Sequence, residues 1–506
     1  MADSPLKQRR GGVVLHPTSL PGPHGAGDLG PNAYYFVDWL HTAGQTMWQT
    51  LPLGPVGPGY SPYMGSSAFA GNPMLVAFEP MMERGWIDAG SMRANFDPLQ
   101  VDYPLVTPWR MQKLREAFAG FLIQADARDH QVLKDWALSQ QAWLDDYTLF
   151  MALDQTYSPA LWTQWPKALA RRDPLALEDA RVRHASELAF WCFVQWQFDV
   201  QWQAVKTYAH TKGVLLVGDL PIFVAHHGAD CWARPDLYAL DAEGEPRVVA
   251  GVPPDFFSAT GQRWGNPLYD WDAMREDGYR WWIARVTRQL ALADIVRIDH
   301  FRGFVDYWEI PADQPTAMHG CWQTGPGYEL FAALTGALGD LPIIAEDLGI
   351  ITPEVTALRL RAGFPGMRVL QFAFSGDASH DFLPHNHEPN TVVYTGTHDN
   401  DTVQGWWASC SARERAFAGS YLNTDGVDVH WAMLRAATLS VARLSLCQFQ
   451  DVLGLDGVHR MNTPGTMGCW TWRFSWDWVD PQVSDRLARL TASSGRVGIE
   501  HLHLPP

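Results

Sequence analysis

The chain has 506 residues, a net charge of −17 and 47 % hydrophobic residues. That length can bury a large core, as one big barrel with insertions or as two to three domains. The acidic balance argues against nucleic acid or an anionic membrane as the main partner, and suits a neutral or cationic substrate.

Twenty-five Trp exceed ordinary usage. Such rings either fill cores or line grooves that stack flat ligand faces. The six cysteines, Cys192, Cys231, Cys321, Cys410, Cys447 and Cys469, show no C-x-x-C or other metal spacing. Scattered thiols in a long chain point to a reducing compartment. The first ten residues lack the apolar core of a signal peptide, and no run of about 18 apolar residues marks a membrane span. A cytoplasmic location is expected.

In chain order, residues 12–15 read as a short strand running into a Pro/Gly loop at 21–30. The spacing of Tyr35, Phe36, Trp39 and Leu40 predicts a helix over 32–43, closed by Gly44. A second strand over 46–51 enters a loop at 54–63, too rich in Gly and Pro for a helix or central strand. That loop carries Tyr60, Ser61 and Tyr63 on a constrained backbone. From about 81 to 210 the texture is helical, with periods at 108–124, 130–153 and 187–210. This predicts a helical insertion subdomain within a single catalytic domain spanning 1–506, its Trp stripe serving packing.

A buried strand follows at 214–219. Residues 251–269, long, aromatic and bounded by Gly and Pro, read as a lid loop. A helix with Trp281, Trp282, Val286 and Leu290 leads to a strand at 295–301. Further strands are expected at 342–346, 367–374, 392–395 and 444–452. Eight strands mostly separated by helices, with no G-x-G-x-x-G after any of them, predict an α/β fold of the (β/α)8 TIM-barrel type.

The organising stretch is Asp294-Ile-Val-Arg-Ile-Asp-His-Phe-Arg-Gly-Phe304. Residues two apart on a strand share a face, so Arg297 and Asp299 point the same way. An Arg beside a carboxylate favours its ionised form. Taken alone, the pair reads better as a structural ion pair. Asp219, Glu346 and Asp399, however, also fall at C-terminal strand ends, where a TIM barrel builds its site. Retaining glycoside chemistry needs two carboxyl groups, one attacking the anomeric carbon and one donating a proton to the leaving oxygen. Asp299 beside Arg297 suits the first role. Glu346, after Ile343, Ile344 and Ala345, suits the second, because an apolar wall raises a carboxyl pKa. Asp399, between His398 and Asn400, could hold sugar hydroxyls. The same acids could bind Mg²⁺ or Ca²⁺, although Arg297 and His300 would set positive charge beside the ion. No phosphate loop, Ser elbow or Cys–His signature competes.

The blocks HPTSLPGPHGAGDLG (16–30), GYSPY (59–63), GDLPIFV (218–224), GVPPDFFSATGQRWGNPLY (251–269), RIDHFRGF (297–304), AEDLG (345–349), GTHDND (396–401) and RMNTPGT (460–466) span nearly the whole chain. In this order they resemble the 4-α-glucanotransferases, called amylomaltase or disproportionating enzyme, relatives of the α-amylases. The resemblance implies a TIM barrel with helical insertions and no C-terminal β-sandwich domain. It implies transfer of α-1,4-glucan segments between maltooligosaccharides, starch or glycogen and glucose, with no cofactor or metal. Asp299 would be the nucleophile, Glu346 the general acid/base and Asp399 the transition-state stabiliser. Arg297, His300 and His398 would frame the donor sugar, with Asp219 touching it or supporting the site. Tyr60 would be an aromatic platform, with Ser61 beside it in the same motif. Asp255, Gln262 and Trp264 would belong to the lid, and Asn462 would line the pocket.

Overall fold

The computed structural model describes residues 4–254 and 258–497. Eight parallel strands follow one another round a barrel: β1 (Arg10–Val14), β2 (Met47–Gln49), β3 (Leu215–Leu220), β6 (Ile295–Ile298), β9 (Ile343–Ala345), β10 (Gly366–Val369), β11 (Thr391–Tyr394) and β12 (Leu444–Gln448). The last strand pairs with the first, Gly12 opposite Leu446. Each strand sends at least one apolar side chain into a shared interior, among them Val14, Met47, Val217, Ile295, Ile344, Met367, Val392 and Leu444. Gly12 lets β1 approach β2 closely, because a Cβ there would lie 2.6 Å from the Met47 Cβ. Between β9 and β10 the described residues form no ladder. Closure there rests on the Ala345 N–H donating to the Pro365 carbonyl at 3.0 Å and on the Met367 N–H donating to Asp347 Oδ1 at 2.6 Å.

Strand alternation turns this interior polar towards one end. Two residues beyond Val217, Ile295 and Ile344 come Asp219, Arg297 and Glu346; beyond Met47 and Val392 come Gln49 and Tyr394. The Tyr394 hydroxyl donates to Gln49 Oε1 at 2.9 Å. The expected strands over 367–374 and 444–452 are shorter than their apolar runs. Each turns at its C-terminal end into a helical turn, Leu370–Phe372 and Phe449–Leu453.

Between β2 and β3 lie the long helices Tyr103–Gln124, Ala127–Tyr157 and Ala185–Thr211. The first starts before the expected 108, because Asp102 caps it by accepting the Leu105 N–H and a proline sits in its first turn. Ala185–Thr211 is tied to the segment after the Gly/Pro loop by two side-chain amides. Gln195 accepts from the Gly71 N–H at 2.7 Å and donates to the Gly71 carbonyl at 2.9 Å. Gln201 does the same with Ala77, at 2.7 and 3.0 Å.

A second sheet, absent from the sequence reading, stands over the barrel mouth. It is antiparallel, in the order β5 (Gln262–Pro267), β4 (Val248–Val252), β7 (Asp306–Pro311), β8 (Cys321–Thr324). The expected lid loop at 251–269 is therefore largely a hairpin, with Gly251 opposite Arg263. Among the described residues, no helix is long and apolar enough to cross a membrane.

Candidate active site

The C-terminal end of the barrel opens into a cleft of ≈ 770 Å³, a size that holds several rings of a ligand. Asp299, Glu346, Asp399, Arg297, His300, His398, Asn462, Ser61, Gln262 and Trp264 all line it. Asp255 lies outside the described residues.

Arg297 organises the floor. Its Nη1 donates to Asp219 Oδ1 and Oδ2 at 2.7 and 2.8 Å, and its Nη2 donates to Asp299 Oδ1 at 2.8 Å. Asp219 lies under this layer, its side chain wholly covered, and does not line the cleft. Asp299 keeps 32 % of its side chain open, so a ligand can reach it. Asp219 also accepts from the Tyr63 hydroxyl at 2.7 Å. Burial and that carboxylate push the Tyr63 phenol well above its usual range, so it remains the donor.

Glu346 follows β9 and faces Asp299 across the turn at His300. Its Oε2 accepts the His300 N–H at 2.7 Å and its Oε1 the Leu348 N–H at 3.1 Å. His300 takes a left-handed conformation (φ 52°), which turns its N–H towards that carboxyl. Burial, reinforced by the nearby Asp299 carboxylate, raises the Glu346 pKa from 4.5 to about 8, against the pull of Arg297 and the two N–H donors. The site thus holds two unlike acids, one tied to a guanidinium and one that keeps its proton at neutral pH.

Asp399 stands on the loop after β11. Its Oδ1 accepts from Asn462 Nδ2 at 2.6 Å and lies 3.3 Å from His398 Nε2. Arg460 donates to the Asp399 backbone carbonyl. The His398 ring packs against Tyr63 (centroids 5.0 Å apart, 16°) and Trp470 (5.8 Å), which also meet each other at 5.8 Å. Beneath this loop, buried Asp451 accepts from the Thr395 hydroxyl at 2.6 Å and the Val403 N–H at 2.7 Å, pinning both ends. The His300 ring meets the Trp264 edge at 4.9 Å, and burial lowers its pKa to about 4, so it is neutral. Trp264 Nε1 donates to Gln262 Oε1 at 3.2 Å, both on β5.

Tyr60 is placed differently from the expectation. Its ring stacks on Tyr103 (4.3 Å, 9°) in a cluster with Ala26, Met74 and Val106, outside the cleft lining. With Tyr60 at φ 62° beside Gly59 at φ 66°, the turn points Tyr60 down and presents Tyr63 three residues on. Tyr63, Trp470, Phe223, Arg302 and Trp322 line the cleft without having been assigned to it from sequence. Tyr63 carried a signal in its position on the constrained loop, and Phe223 and Arg302 lie within the blocks 218–224 and 297–304.

Among the described residues, no carboxylate grouping in the cleft is free of adjacent positive charge. Elsewhere, His24, Asp28 and Glu79 bring ligand-type atoms within 4.8 Å of one another. There Arg110 already stands 3.3 Å from Asp28 and supplies the cation.

A family model described as 4-alpha-glucanotransferase, glycoside hydrolase family 77, matches residues 15–479. A 4-alpha-glucanotransferase of Thermus thermophilus is 47 % identical over 495 residues, covering 96 % of this chain and 99 % of the relative. One from Synechocystis is 46 % identical over 97 % of this chain and 99 % of its own length. The solved structure of an amylomaltase from Streptococcus agalactiae, in complex with acarbose, superimposes with a TM-score of 0.94 at 37 % identity, over 97 % of this chain and 100 % of that one.

Proposed function

The chain belongs to the 4-α-glucanotransferase family, and from that premise we propose how its cleft performs the transfer. A segment of an α-1,4-glucan moves to the 4-hydroxyl of glucose or of another α-1,4-glucan, by double displacement with retained configuration. Asp299 attacks the anomeric carbon. The glycosidic oxygen leaves with the proton of Glu346, and the donor segment remains as an ester on Asp299. Glu346, now a carboxylate, takes the proton of the acceptor 4-hydroxyl as that oxygen attacks the same carbon. The ester breaks, the new α-1,4 bond forms, and Glu346 is protonated again.

The observation that carries this reading is the pair of unlike acids: Asp299 on Arg297, and Glu346 raised to about 8 beside it. Asp399, oriented by Asn462 and His398, grips hydroxyls of the donor ring and holds them more tightly as the ring flattens. Neutral His300, Ser61, Gln262 and Trp264 contribute polar and aromatic contacts to the chain. Asp219 serves Arg297 and reaches the sugar only through it. The hairpin of β4 and β5 covers the site, and excluding water favours a sugar acceptor over hydrolysis. The six unbridged thiols suit a reducing, cytoplasmic setting.

Incubation with maltotriose alone tests the reaction. A ladder of shorter and longer oligosaccharides plus glucose, with nearly constant reducing ends, is expected. Reducing ends that rise without longer products would replace transfer by hydrolysis.

A further inference from the structure

Trp322 lies on β8, the edge strand of the second sheet, opposite Trp308. It is 39 % exposed, yet it is not loose. The Arg302 guanidinium lies over its ring, 3.8 Å from the centroid, and Trp308 meets it at 5.2 Å and 68°. Each support is itself fixed. Arg302 donates to both Asp306 carboxylate oxygens at 2.8 and 3.0 Å and to the Ile350 carbonyl. Trp308 Nε1 donates to the Ala317 carbonyl at 2.9 Å. One face of Trp322 is thus covered by the guanidinium, and Trp308 holds the ring at a steep angle. The surface that remains open faces the cleft, which Trp322 and Arg302 both line.

A large ring on an edge strand is needed neither to complete the sheet nor to fill the core. An immobilised ring with one free face is what a sugar subsite requires, because the flat apolar side of a pyranose stacks on it. Its position fixes the side of the cleft. Arg302 is bonded to Ile350, on the turn that begins at Glu346 and accepts the Leu348 N–H. Glu346 delivers its proton to the oxygen of the leaving chain, so its side of the cleft receives that chain and afterwards the acceptor.

Resting on the roles given above for Asp299 and Glu346, we propose that Trp322 is an aromatic platform for a glucose unit of the acceptor chain, beyond the unit whose 4-hydroxyl attacks. It makes longer maltooligosaccharides better acceptors than glucose.

Maltotriosyl fluoride is used as donor, since fluoride leaves the acceptor side empty, and glucose or maltotriose is varied as acceptor. In Trp322→Ala, the KM for maltotriose as acceptor should rise about tenfold. The KM for glucose should stay within about twofold, with kcat unchanged, because glucose alone does not reach the ring. Trp322→Phe should restore much of the loss. Should the alanine variant not fold, Trp322→Leu, which keeps bulk against Trp308 but has no flat ring, carries the same expectation. An equal loss for both acceptors, a rise confined to donor KM, or no change would each overturn the proposal. Failure of the unaltered enzyme to transfer from the fluoride to glucose would instead overturn the underlying mechanism, so the two failures are distinct.

Discussion

The proposed mechanism asks Glu346 to serve in two protonation states. Burial and the Asp299 carboxylate raise its pKa to about 8, while the His300 and Leu348 N–H groups keep the ionised form usable in the second step. Activity that needs its proton should therefore fall as pH rises through about 8. Glu346→Gln should lower turnover on maltotriose by about 10²–10⁴-fold and remove that alkaline limb from the pH profile; an unchanged limb would assign it to another group. Linkage fixes the sign for stability. The folded chain binds this proton more tightly than the unfolded chain, so the wild-type site costs stability increasingly between about 4.5 and about 8. The Gln variant should melt higher than wild type above that window and level with it below. The acids were legible in the sequence because each closes a β-branched or apolar run whose direction fixes its face. Tyr60 and Tyr63 were not separable, because which of two tyrosines enters the cleft depends on the positive φ angles at Gly59 and Tyr60. Trp470 and Trp322 arrive from loop and edge positions that no local pattern ties to the barrel mouth.

The elements differ in how well period alone specifies them. The barrel strands are short and buried on both sides, and their Val/Ile/Leu runs mark them even where the strand ends before the run does. The antiparallel sheet escaped notice because β4 and β5 carry Gly251, Gly265 and Pro267, residues that read as loop. These strands form because partners across the sheet supply the ladder. The helix Ala185–Thr211 was legible from its aromatic spacing, but not what it holds. Gln195 and Gln201, six residues apart, pair with the backbone at Gly71 and Ala77. This grips the segment that follows the Tyr63 loop. Gln195→Leu would strand a buried donor and acceptor at Gly71, at about 1–3 kcal/mol each. A lowered denaturation midpoint with a raised KM for glucan is expected; a midpoint within error of wild type would show that Gly71 finds other partners.

At the scale of the molecule, one barrel carries all three carboxylates on separate strand ends, so their spacing is set by barrel closure. That closure is uneven. Seven of the eight neighbour pairs are ladders, and the eighth, between β9 and β10, is held by the Ala345 amide on Pro365 and by the Met367 amide on the Asp347 side chain. Glu346 follows Ala345 directly. Glu346, the proposed proton donor, is thus mounted on the seam, while Asp299 follows β6, paired on both sides. Isotope exchange should expose this asymmetry. Under mild denaturant, amide deuteration at 343–347 should outrun that at 295–298 and keep pace with loss of activity, before the barrel unfolds as a whole. Equal protection of the two strands would mean that the seam is as firm as the rest. If the seam yields first, the enzyme loses the proposed acid, Glu346, while the proposed nucleophile, Asp299, is still in place. Its functional lifetime on heating would then be set by three residues of backbone, not by the barrel's total stability.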